Sequence, residues 1–479
     1  MPKKTKIIIS DTHIGAGGWV EGNRLEDFIS DAEFVAWLHA LVEESNREQI
    51  AMDFIINGDW IEFLQVPDVN RFEPARVYET SFYTEVAEAA ALRRLQVVYE
   101  WHPGIFLGLT DFLNPGPPRR RLHILFGNHD PEIVYPGVQA QLRRLLHAEG
   151  DLADLVQIGA RRLHEDGVFI EHGNAYVESV NRFSNPDAPF DPLRPGQIER
   201  PSGSSFVTHF FNHLEWQRAW VDGVHPVTTL IFYALAFEPA FALKVLKAFL
   251  EAVPGLVLDI AATPTPPGPE EPPTAREQML EQLADPAQQA EIARRLAEDP
   301  AFAEAFAAQV QQALQEQGAT PPPPEGIAQA TLPLPPEERA RLIAEMAQQA
   351  LHDEAVAIVE RTGAAVVLFG HIHERVETRL ENGGLYLNTG AWVWKGDFSQ
   401  QGDEVWRDLL ADPDKYSEQR TLTYARIDFD EQGVMGQARL LTVGDLPAPP
   451  APPGPQPHPS LWARLLLTFR NVFRCLFGK

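Results

Sequence analysis

Cysteine is almost absent from this chain: Cys475 stands alone among 479 residues. A single thiol excludes an internal disulfide framework and a Cys-rich zinc site, and it fits a reducing compartment. Long apolar runs are missing too. A helix that crosses a bilayer needs about 18 or more consecutive apolar residues, and the nearest stretch, 230–237, is ended by Glu238 and Pro239. Basic residues are scarce, with 40 Lys and Arg against 67 Asp and Glu, a net charge of −27. That balance argues against nucleic acid as a stable partner, because phosphate backbones are held by clustered Lys and Arg. No secretion-type apolar segment precedes the strand-like 7–9, so a cytoplasmic location is expected. The glycines at 15, 17 and 18 are too irregularly spaced for a P-loop phosphate cradle and read as a flexible loop.

What is present is a globular composition, 44% apolar and 22% charged. Short apolar runs at 6–10, 52–57, 121–126, 168–171 and 365–369 read as buried strands. Helical periodicity marks 31–46, 85–100, 132–148 and 337–361, and 385–387, 424–429 and 437–442 read as further strands. Directly behind the first five strands stand Asp11-Thr12-His13, Gly58-Asp59, Gly127-Asn128-His129-Asp130, His172-Gly173-Asn174 and Gly370-His371-Ile372-His373. Asp and Asn favour turns, and one such coincidence is ordinary. Five in order are not, and open α/β sheets place ligands at the carboxyl ends of their strands. Asp11, His13, Asp59, Asn128, His172, His371 and His373 are therefore expected to meet at one mouth. Carboxylate, amide and imidazole without thiolate suit borderline divalent ions such as Mn²⁺, Fe²⁺ or Zn²⁺. The ligand count suffices for two ions sharing a carboxylate, roughly 3.5–4 Å apart.

These motifs resemble the calcineurin-like metallophosphoesterases, whose pattern is D-x-H, G-D, G-N-H-D/E, H and G-H-x-H, each behind a strand. The resemblance covers roughly 1–182 and 337–442. It implies an α/β fold with a β-sandwich flanked by helices. It also implies one metal on Asp11, His13, Asp59 and His373, and a second on Asp59, Asn128, His172 and His371. The implied mechanism is attack of a metal-bridging water or hydroxide on phosphorus, with His129 as the proton donor to the leaving group. Asp130 is open to two roles, capping the helix that Pro131 begins or orienting His129 and raising its pKa. The continuation Gly58-Asp59-Trp60-Ile61-Glu62-Phe63 lacks the arginine of the G-D-x-V-D-R-G phosphoprotein phosphatases. It is similar to the bacterial branch that includes UDP-2,3-diacylglucosamine pyrophosphohydrolase, although that enzyme commonly has Arg at the position of His129. Arg182 is a candidate substrate-phosphate contact, or a solvated loop arginine.

The organisation expected is a catalytic domain in two parts, 1–182 and 337–446, interrupted by a helical insertion or cap at 183–260. Pro-rich linkers with a solvated Ala/Gln/Glu helical segment fill 261–336. A Pro-rich linker at 447–459 precedes a basic amphipathic helix at 460–479, whose composition suits an anionic membrane surface or docking on the protein itself. The expected function is a dinuclear metal-dependent phosphoesterase acting on a phosphate ester or pyrophosphate, on a lipid-linked substrate at the membrane surface. A phosphodiesterase for a soluble nucleotide and a non-catalytic membrane scaffold are the alternatives.

Overall fold

The computed structural model describes residues 3–177, 179–219, 223–225, 238–257, 274–316, 336–394, 396–397, 403–412, 415 and 420–445. The expected tail helix 460–479, the linker 447–459, Cys475, the Pro-rich stretch ahead of 274, and Pro321–Pro324 lie outside these residues.

Thirteen strands are described: β1 (Lys4–Ile9), β2 (Ala51–Asn57), β3 (Arg120–Leu125), β4 (Val156–Ala160), β5 (Arg162–Glu165), β6 (Val168–Glu171), β7 (Val224–His225), β8 (Val366–Phe369), β9 (Arg375–Arg379), β10 (Leu385–Thr389), β11 (Gly396–Asp397), β12 (Thr423–Phe429) and β13 (Met435–Thr442). They form a six-stranded sheet, ordered β13-β12-β1-β2-β3-β4, and a five-stranded sheet, ordered β5-β6-β8-β10-β9, while β7 and β11 pair separately. The central strands β1, β2 and β3 run parallel, as do β6, β8 and β10. Their near-continuous Ile, Val, Leu and Phe content suits strands covered on both faces.

The two sheets pack face to face through one core that takes Ile8, Ile55 and Leu125 from the first and Ile170, Leu368 and Leu387 from the second. Each such side chain contributes roughly 1.5–3 kcal/mol on leaving water. Helices close the outer faces. Phe34 of the helix Asp31–Glu48 meets Phe54 of β2 edge-on, Trp37 packs against the same ring at a tilt, and Trp37 also meets Tyr424 of β12. Leu351, Ala355 and Ile358 of the helix Pro336–Thr362 cover Val367 and Phe369 of β8. The sandwich flanked by helices is thus the observed architecture.

The sequence reading missed β4, β5, β9 and the helix Pro103–Phe112. The segment 132–148, expected as one helix, is a 3₁₀ turn Pro131–Val134 followed by the helix Pro136–Leu145. The Ala/Gln/Glu stretch is not merely solvated. Its helices Ala275–Gln282, Pro286–Glu298 and Pro300–Glu316 bury Met279, Leu296, Phe306 and Val310. They share a second core with Phe210, Leu214 and Leu246 of the insertion and with Trp406, Leu409 and Leu410 of the helix Asp403–Ala411.

Candidate metal centre

The mouth lies on the seam between the two sheets. Three strand ends of the first sheet supply Asp11 and His13, Asp59, and Asn128, while β6 and β8 of the second supply His172, His371 and His373. The pairing of β1 with β2 runs on past the strand ends. His13 N donates to the Asp59 carbonyl at 2.9 Å, Ile14 N to Trp60 at 2.9 Å and Glu62 N to Ile14 at 2.9 Å. Bonds across the seam join the halves: Asn57 Nδ2 donates to the Glu171 carbonyl at 2.9 Å, and His371 N donates to the Asp11 carboxylate at 3.0 Å.

At the mouth, ligand atoms gather in overlapping groups, Asp11 with His13 and His373, Asp59 with His172 and His371, and His13 with Asp59 and His129, the atoms of each lying within 4.8 Å of one another. Asp59 reaches both of the first two, with Oδ2 3.0 Å from His172 Nε2 and 3.9 Å from His13 Nε2. Asn128 Oδ1 stands 3.2 Å from His172 Nε2. Asp11 and Asp59 are fully buried.

The backbone bends sharply to achieve this. Asp11, His13, Asp59, His371 and His373 have φ of 52, 45, 49, 71 and 56°, the left-handed region that L residues enter at a cost of about 1–3 kcal/mol each and that clusters at functional sites. The motif glycines provide space as well. A Cβ on Gly127 would collide with the Asp59 carboxylate, and one on Gly370 would sit 2.5 Å from Asp11 Oδ2.

Hydrogen bonds decide which imidazole nitrogens face the mouth. His172 Nδ1 lies 3.0 Å from the Asn57 carbonyl, which only accepts, so Nδ1 carries the proton and Nε2 is left toward Asp59. His13 Nδ1 is 2.7 Å from Glu62 Oε2. Its Nε2 then faces His373 Nε2 at 3.0 Å, with Asp11 Oδ1 3.4 Å from the latter. Two imidazole nitrogens and a carboxylate converging in this way fit a divalent cation, and the donor set fits the borderline ions.

Charge in the cluster follows the same geometry. Burial alone would raise the Asp11 carboxyl, but His172 and His373 outweigh it and hold the group at about 2. Burial lowers His172, yet Asp59 and Asp11 hold its imidazolium up to about 10. The buried carboxylates thus demand positive charge beside them.

His129 stands at the edge of the clusters with 21% of its side chain exposed, and its Nδ1 is 2.6 Å from Glu62 Oε2. Burial lowers this imidazole too, but Glu62 and Asp59 hold it up at about 9. Burial raises Glu62, and His129 and His13 bring it down to about 2. One carboxylate oxygen therefore serves both a candidate metal ligand and the candidate acid. Glu62 is the functional residue missed by reading along the chain, although it stood in view three positions after Asp59.

Asp130 does neither job considered for it. It precedes the 3₁₀ turn without a side-chain cap. Its Oδ1 accepts from the amides of Gly127 at 2.7 Å and Asp59 at 3.2 Å, and its Oδ2 from Trp60 at 2.8 Å. The carboxylate is turned back under the ends of β2 and β3, where burial and Asp59 raise its pKa to about 7. Arg182 is not drawn into the clusters: its guanidinium donates to the Val177 carbonyl at 2.7 Å.

The insertion touches the loop that carries Glu62. Asn212 Nδ2 donates to the Leu64 carbonyl at 2.9 Å, and Glu215 bonds Gln65. A small cleft lined by Leu25, Tyr78, Tyr83, Asn212 and Trp216 lies between the insertion and the segment 77–83.

No protein-family model matches the chain, and no curated protein matches it. Among solved structures it is similar to a dimetal phosphatase from Danio rerio at 9% identity, over 92% of this chain and 99% of that one, with a TM-score of 0.31.

Proposed function

We propose that the chain is a dinuclear metal-dependent phosphoesterase. The observation that carries this is the meeting, at one mouth, of overlapping carboxylate–imidazole clusters with His129, whose Nδ1 is held by Glu62. Asp11, His13 and His373 would hold one divalent ion, and Asn128, His172 and His371 the other, with Asp59 reaching both. Bound there, such ions supply Lewis acidity to phosphoryl oxygens and acidify water. The chain supplies the remainder. Glu62 and the Asn57 carbonyl hold the Nδ1 protons of His13 and His172, which aims both Nε2 atoms at the ion positions. Glu62 likewise leaves His129 Nε2 as the proton donor to the departing oxygen. A lipid-linked phosphate or pyrophosphate is the proposed substrate, on the resemblance of Gly58–Phe63 and the basic amphipathic composition of 460–479.

Protein stripped of metal and resupplied with Mn²⁺ should hydrolyse a generic aryl phosphodiester or monoester, and be inactive without it. Folded protein that fails with every divalent ion and ester tried overturns the proposal.

A further inference from the structure

The segment with glycines at 15, 17 and 18, expected as a flexible loop, is ordered, and Gly15 and Gly17 wrap one buried carboxylate. Glu26 is 2% exposed. Its Oε1 accepts from the Gly15 amide at 3.2 Å and the Phe28 amide at 3.2 Å, and its Oε2 accepts from the Gly17 amide. His102 Nε2 lies 3.6 Å from Oε2, while the opposite nitrogen of that ring is 2.8 Å from Asp31 Oδ1. Asn23 closes the wrap, its Nδ2 donating to the Gly17 carbonyl at 2.8 Å. Glycine is required by space: a Cβ on Gly15 would sit 2.7 Å from Glu26 Oε2, and one on Gly17 would collide with Trp101. The amides that would face a phosphate in a cradle are therefore spent on an internal carboxylate.

Burying a carboxylate is costly unless it is fully partnered, and what this one secures is the exit of the chain from the metal clusters. Gly15 is two residues past His13. Between them, Ile14 is pinned to the β2 side through Trp60 and Glu62. Segment 13–17 is thus clamped on one flank by the continued β1–β2 pairing and on the other by Glu26. His13 needs such support, because it holds a left-handed conformation while its ring must meet His373, a residue from the other sheet.

We propose that Glu26 is a positioning residue for the metal held by Asp11, His13 and His373. The proposal rests on the dinuclear reading above, and it assigns Glu26 to one of the two ions only. Groups bonded directly to a metal ligand typically set affinity by about 10–100-fold, and Glu26, which acts on His13 through the backbone of Gly15, is assigned an effect of the same order. Glu26→Gln keeps an acceptor for Gly15 and Phe28 but turns an amide N–H₂ toward Gly17, whereas Glu26→Ala removes all three bonds.

The test is equilibrium Mn²⁺ titration of the full chain, read by metal content and by electron paramagnetic resonance, which separates spin-coupled Mn²⁺ pairs from isolated ions. Wild type is expected to take two ions as a coupled pair. Glu26→Gln should keep one ion at wild-type affinity and bind the other about 10–100-fold more weakly, with isolated-ion spectra at stoichiometric metal, and Glu26→Ala should be weaker still. In a His13→Ala background, Glu26→Gln should leave the remaining ion unaffected. Wild-type affinity at both sites in the Glu26 variants overturns the proposal. So does parallel weakening of both ions, or a loss that persists in the His13→Ala background. Folded wild-type protein that binds no Mn²⁺ overturns the dinuclear reading together with this one, which distinguishes the two failures.

Discussion

Glu62 couples two histidines through a single oxygen, so its loss should be felt twice. Glu62→Gln is expected to lower turnover and weaken metal binding together, whereas His129→Ala should lower the rate by about 10²–10⁴-fold while keeping both metals. Steady-state rates measured beside metal content separate the two patterns. Asp130→Ala should act on stability instead, because three buried amides lose their acceptor. A cost of about 2–4 kcal/mol is expected, read by denaturant unfolding. At this scale the clustering side chains were legible, since each stands directly behind an apolar strand and local order suffices to find it. The assignment of Asp130 beside His129 failed because adjacency along a turn does not set side-chain direction. The backbone aims Asp130 at amides and brings Glu62, on a different strand end, to the ring.

Among the elements, the loop that follows β1 is stapled to the junction of the helices Glu88–Trp101 and Pro103–Phe112 through His102. Burial lowers that imidazole, but Glu26 and Asp31 hold it up at about 10. The folded pKa is above the unfolded value of about 6.5. The stabilisation from this group is therefore fully present below about pH 6.5 and is lost as pH rises from there through about 10. Unfolding free energies measured across that window should fall with pH in wild type and fall less in His102→Gln. The second core offers a different handle. Trp406 is fully buried there, and Trp406→Ala should cost about 3–5 kcal/mol, seen as a lowered midpoint in denaturant unfolding. The composition of 275–316 hid this core because the helices there bury single, widely spaced apolar residues. Pro103, the short, glycine-containing β4 and the polar β5 concealed elements whose burial is decided by neighbours distant in sequence.

At the level of the whole molecule, the sandwich was expected from the family resemblance that the five strand-end motifs carry, while the assignment of individual strands to one sheet or the other was not legible, since pairing partners leave no mark on a single strand. Metal should stabilise the assembly it completes. At a hundredfold excess over Kd, ligand binding adds about 2.7 kcal/mol, so chelation should lower the melting midpoint by on the order of 5 °C, with Mn²⁺ restoring it. Liposome co-sedimentation of full-length protein and a 1–446 truncation tests the proposed membrane role of the tail: anionic vesicles should retain the longer protein alone.

The position of the site on the seam between sheets also bears on how the protein is made. Its ligands are spread from Asp11 to His373, and a ribosome releases the chain from the N-terminus. Asp11, His13 and Asp59 emerge early, with their acidic and imidazole groups lacking the partners that β8 delivers. Neither cluster is complete until His371 and His373 have left the ribosome and β8 has slotted beside β6. On the proposed dinuclear reading, metal would be taken up only after β8 is in place, and a chain cut short before that strand holds neither cluster.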